Sequence, residues 1–176
     1  VLWEPERGVL GQPAWAPDGQ SVHVAIADIL SEPGAPVSDR LFQIVRVDLA
    51  SQARALALDN AYDLWFARDG RSIVFLRWNK ERAGFTLNLA APDGSGEREL
   101  VGAGAFSSFA SPRFSPDRRQ IVFVATGGPP TDEQGRPITA RRSPLDRLLG
   151  LLAPPAAQAH ELLMDLWLVN ADGSGQ

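Results

Sequence analysis

Three aspartates at matched places are the first residues in this sequence whose type and spacing could do chemistry. Asp18, Asp69 and Asp117 each stand three positions after an aromatic residue, Trp15, Phe66 or Phe114, and they lie 51 and then 48 residues apart. Carboxylates in equivalent places of repeated units could serve as acids or metal ligands. Their neighbours give them a different task. In Pro17-Asp18-Gly19 the proline fixes φ, the aspartate accepts a hydrogen bond from backbone just ahead, and the glycine takes positive φ, so the run is a turn between two apolar strands. Asp18, Gly19, Asp69, Gly70 and Asp117 are therefore read as structural turn residues. The remaining chemistry is sparse. His23 sits within a strand-like run, and His160-Glu161 with Asp165 makes at best a weak metal cluster. The sequence holds no Gly-x-Ser-x-Gly elbow, no His-Glu-x-x-His and no glycine-rich phosphate loop. No catalytic residue, metal site or cofactor is assigned, and the reading leans away from an enzyme.

Composition narrows the classes further. With no cysteine among 176 residues there is no disulfide framework, thiolate zinc site or thiol nucleophile. A net charge of −4 argues against a nucleic-acid surface, which needs a basic footprint. Lys80 is the only lysine, so nearly all positive charge is arginine. An apolar content of 44% suits a globular protein with a sizeable core. No run approaches the roughly 20 apolar residues of a membrane span.

Positioning the turns requires strands on both sides, and the sequence supplies them three times. Ser21 to Ala27, Ser72 to Trp78 and Gln120 to Thr126 follow the three turns as apolar runs. A third strand, Leu41 to Leu49, alternates with a bulge expected between Ile44 and Val45, and a weaker fourth follows at Arg54 to Leu58. The second unit repeats the plan with strands near 63–67, 72–78, 86–90 and 97–101. Its last turn, Asp93-Gly94-Ser95-Gly96, has a relative at Asp172-Gly173-Ser174-Gly175. A period near 50 residues with four strands per unit is the signature of a β-propeller. The expected fold is all-β: four-stranded antiparallel blades over about 12–60, 61–107 and 108–176, the whole of 1–176 forming a partial propeller or half of a six-bladed ring. One helical insertion is expected over 127–165, because Ser143-Pro144 caps a stretch whose Leu145, Leu148, Leu149 and Leu152 share a helix face.

The run Pro-x-Trp-x-Pro-Asp-Gly followed by an apolar strand, and later an Asp-Gly-Ser-Gly turn, resembles the blade repeat of TolB-type propellers. Propeller domains of prolyl-oligopeptidase-like enzymes share it. Arg68 stands in place of the proline in the second copy and Arg118 in place of the glycine in the third, which weakens those turns. The resemblance implies a non-catalytic module of a bacterial cell envelope, periplasmic or extracytoplasmic, that binds a protein partner. The other reading it implies is the substrate-gating propeller of a larger hydrolase.

Binding is expected on the loops between second and third strands, which emerge on one face and differ in every blade. The candidates are Trp78, Asn79, Lys80 and Arg82 in the second blade, with Arg141, Arg142, Leu145, Leu148, Leu149 and Leu152 in the insertion. Packing of that helix on the propeller rim is favoured over docking of a partner, and a membrane surface at 141–152 is disfavoured. Three blades leave two sheet faces to be covered. Were the chain complete, a homodimer would close a six-bladed ring, with Val1 to Trp3 or Val9 to Leu10 adding the strand missing after Gly175.

Overall fold

The computed structural model describes residues 2–5, 8–27, 42–128 and 164–174. Each turn read from the sequence joins two antiparallel strands. Blade 1 is a sheet of β1 (Val9–Trp15), β2 (Ser21–Ala27), β3 (Phe42–Asp48) and β4 (Arg54–Asp59), in that order. Blade 2 repeats it with β5 (Ala61–Phe66), β6 (Ile73–Asn79), β7 (Gly84–Ala90) and β8 (Arg98–Val101). Blade 3 contributes β9 (Ser108–Phe114), β10 (Gln120–Thr126) and β11 (Asp165–Asn170). These are propeller blades, as the repeat predicts. Among the described residues there is no helix, and the predicted helix over 143–152 lies outside them.

The turns behave as their chemistry dictates. Asp18 Oδ1 accepts the Gln20 N–H at 2.9 Å, Asp69 that of Arg71 at 3.1 Å, and Asp117 that of Arg119 at 3.1 Å. Asp93 and Asp172 do the same for Ser95 and Ser174, so five aspartates make one kind of side-chain turn. The hydroxyls of Ser95, Ser115 and Ser174, and after them these backbone bonds, favour the carboxylate form and hold Asp93, Asp117 and Asp172 below the usual range. Gly19 and Gly70 sit at φ of 69° and 70°; Arg118 is held at 63° in the third copy, a conformation that glycine adopts without strain. Asp18→Ala is expected to cost about 1 kcal/mol through the lost turn hydrogen bond. Urea unfolding measures this, and an unchanged midpoint would refute the assigned role.

Packing explains the unbroken apolar run on β6. Ile73 and Phe75 face blade 1 and meet Ala25, Ile44 and Leu58. Val74 and Leu76 face blade 3 and meet Phe109, Ile121 and Phe123. Both faces of this sheet are covered, so alternation gives way to a continuous buried stretch. Phe66 packs edge-on against His23 of blade 1 at 4.9 Å, and Phe114 packs into the core shared with blade 2. Each repeat aromatic thus faces the preceding blade. The first-strand aromatics Trp15, Phe66 and Phe114 are each expected from sequence to lie against a neighbouring sheet, yet Trp15 is 64% exposed because no described sheet precedes blade 1.

Two strand details differ from expectation. The irregularity near Ile44 and Val45 is real, but the extra residue is Ala57 on β4: Ile44 pairs with Leu58 and Val45 with Leu56, while the register with β2 is unbroken. Val9 and Leu10, expected to be spare, belong to β1 and pair with Ala27 and Ile26. They are not free to complete blade 3.

Candidate functional site

The first strand of each blade, β1, β5 and β9, lies beside the others at the inner edge of the arc, while β4 and β8 are outermost. Each inner strand carries a register shift, and Gln12, Asp63 and Ser111 occupy the equivalent irregular positions. Asp63 and Ser111 both take positive φ there, 52° and 55°. Asp63 is buried, at 4% exposure, and its Oδ2 accepts the Ser111 N–H at 2.5 Å, tying blade 2 to blade 3. Arg113 completes the junction. Its guanidinium donates to Gln12 Oε1 at 2.8 Å, lies 4.0 Å from Asp63 Oδ1, and stacks 3.9 Å from the centre of the Trp65 ring. One side chain on β9 thereby touches all three blades. Burial pushes the Asp63 carboxyl up, against the pull of the Ser111 N–H and the Arg113 charge, and burial likewise pulls Arg113 down against Asp63.

Next to this strut, at the end of the inner strands where the Asp turns lie, is a cavity of about 590 Å³. Trp15, Ala16 and Pro17 line it from blade 1, Trp65 to Arg68 from blade 2, and Phe114 to Pro116 from blade 3. Trp15, Phe66 and Phe114, and the prolines Pro17 and Pro116, come from matching repeat positions, and Trp65 adds a further ring. Arg68 is exposed and has no ion-pair partner among the described residues, whereas the neighbouring Asp69 pairs with Arg118. An aromatic cup with a free guanidinium at its edge can hold an apolar side chain and an adjoining polar group.

The sequence placed binding at the other end of the strands. Trp78 is interior there, 6% exposed among Phe42, Phe85 and Ala27. Asn79 Oδ1 accepts the Arg82 N–H at 3.0 Å and shapes the short loop on which Lys80 and Arg82 are exposed. Arg141, Arg142, Leu145, Leu148, Leu149 and Leu152 lie outside the described residues. The aromatic cup was missed because its rings were counted as core. Comparing the repeats would have flagged Trp65, which stands where blade 1 has Ala14 and blade 3 has Arg113.

No protein-family model matches the sequence, and no curated protein does either. Solved structures do match. A putative TolB from Agrobacterium tumefaciens is similar over 97% of this chain and 49% of its own, at 17% identity and a TM-score of 0.59. This likeness shows a β-propeller fold similar to that of TolB. TolB from Acinetobacter baumannii matches 70% of this chain and 29% of its own, at 18% identity and a TM-score of 0.51. An acylaminoacyl peptidase from Pyrococcus horikoshii matches 93% and 24%, at 15% identity and a TM-score of 0.56. The chain spans half or less of the length of these propeller-containing proteins.

Proposed function

We propose that this propeller is a non-catalytic interaction module that takes an apolar segment of a protein partner into the aromatic cup at the axial end. The observation that carries the reading is the cup itself: Trp15, Trp65, Phe66 and Phe114 brought together from three blades around an open cavity of about 590 Å³. Tryptophan and arginine dominate binding hot spots because a large rigid surface is desolvated at low entropic cost. That reading carries with it the protein partner and the extracytoplasmic setting implied by the TolB resemblance.

The test is selection of displayed peptides on the folded protein, followed by titration of one selected peptide. Trp65→Ala and Arg68→Ala are each expected to weaken it tenfold or more, on the order of 1.4 kcal/mol. Arg68→Ala guards against loss of folding, since Arg68 holds no partner among the described residues. Affinity that survives both changes but falls on Lys80→Ala or Arg82→Ala would move the site to the opposite face and refute the cup.

A second reading, the substrate-gating propeller of a larger hydrolase, is supported by the likeness to acylaminoacyl peptidase over 93% of this chain. Hydrolysis of an acylated peptide anilide by the full-length parent protein would favour it.

A further inference from the structure

The seam between blades 1 and 2 departs from the seam between blades 2 and 3 at one pair of positions. Five residues after each repeat aspartate stand His23, Val74 and Val122. Directly opposite them on the next strand stand Arg46, Leu89 and Leu168. Val74 is fully buried in the apolar core toward blade 3, with Leu89 packed against it. Blade 1 presents an imidazole and a guanidinium where its sister presents a valine and a leucine. The seam opens there into a groove of about 490 Å³.

Three donors, Arg46, Ser21 and His23, line this groove together with two carboxylates, Asp18 and Asp93. Arg46 Nε donates to Ser21 Oγ at 3.1 Å, which orients the guanidinium and leaves the serine proton free. Arg46 Nη2 lies 3.6 Å from Asp48 Oδ2, while Oδ1 of that carboxylate accepts the Ser51 N–H and hydroxyl at 2.9 and 2.8 Å. His23 is 8% exposed, its ring rests edge-on against Phe66, and its Nδ1 is buried without a partner among the described residues. Phe66 and Pro17 supply apolar walls.

We propose that this groove binds a monocarboxylate with an apolar body, held by Arg46 and Ser21 and flanked by His23. A guanidinium already aligned by a second hydrogen bond is suited to a carboxylate. The charged groups around the imidazole are Arg46 and Asp48 from blade 1, Asp18 from its turn and Asp93 from the turn of blade 2. Asp18 and Asp93 disfavour a second negative charge on the ligand. Burial and Arg46 hold His23 at about 4, with Asp18 opposing, so the empty groove carries a neutral imidazole at pH 7. A bound carboxylate favours its protonated form, so binding tightens as pH falls through the raised midpoint of His23 toward about 4, where the ligand-free imidazole also titrates.

The probe is N-acetyl-leucine, with neutral N-acetyl-leucinamide as control, followed by NMR at the imidazole protons of a His160→Gln chain in which His23 is the remaining histidine. N-acetyl-leucine at millimolar concentration is expected to shift the His23 resonance and raise its titration midpoint by about one unit or more. The amide is expected to do neither. Arg46→Gln is expected to remove the response. The double change His23→Val with Arg46→Leu, which installs the sister pair, keeps the fold by circular dichroism and likewise removes it. A peptide ending in leucine, compared with N-acetyl-leucine, separates a chain terminus from a small free acid, and a response to either supports the site. No response to any carboxylate, a response equal to the amide's, or one that survives Arg46→Gln overturns it.

Discussion

Asp63→Ala is expected to lower stability by about 3 kcal/mol, whereas Asp63→Asn costs less than about 1 kcal/mol. Alanine leaves the Ser111 N–H without its acceptor and Arg113 without its carboxylate, both at the junction of three blades. It also places a Cβ-only residue at a φ of 52°, which asparagine tolerates far better. Asparagine keeps an acceptor for Ser111 and relieves the cost of burying a charge that Arg113 meets only at 4.0 Å. Urea unfolding of the two variants measures the difference. Equal losses for both would mean that the charge, and not the acceptor, holds the blades together.

Phe75→Ala is expected to be at least as damaging, at about 3 to 5 kcal/mol. The ring is fully buried in the blade 1 to blade 2 core, where small neighbours such as Ala14, Ala25 and Ala90 cannot fill the space it leaves. The Arg77 guanidinium lies 5.0 Å from the ring centre and loses that partner too. Trp15→Ala, at a residue 64% exposed, is expected to shift stability by no more than about 0.5 kcal/mol. The same unfolding experiment reads both. A small loss at Phe75 with a large one at Trp15 would reverse the assignment of core and cup.

The three turns and their strands could be read from sequence because the turn chemistry is local: proline, aspartate and glycine act within four residues of one another. Which repeat aromatic is buried depends on whether a sheet lies on its far side, which no local pattern records, and so Trp15 was misjudged while Phe66 and Phe114 were not. The bulge was legible as a break in alternation at Ile44 and Val45, yet alternation on one strand cannot say which partner carries the extra residue, and it is Ala57. The axial strut was invisible because Gln12, Asp63 and Arg113 meet only through the arc of three blades. The His23 and Arg46 pair was legible in principle, since the sister positions hold Val74 and Leu89, but matching Arg46 to Leu89 needs the strand register.

The two seams also differ in substance. Between blades 2 and 3 lie Phe109, Phe123 and Phe106, reinforced by Asp63 to Ser111 and Arg118 to Asp69. Between blades 1 and 2 lie Phe75, Ile44, Leu64 and four alanines, a ring cluster of Phe42, Tyr62, Trp78 and Phe85, and a polar groove. Among the described residues both ion pairs that cross from blade to blade, Arg113 with Asp63 and Arg118 with Asp69, lie at the seam of blades 2 and 3. Added salt screens the exposed Arg118 to Asp69 pair and leaves the apolar packing between blades 1 and 2 unchanged, so ionic strength acts on one seam of the molecule and not on the other.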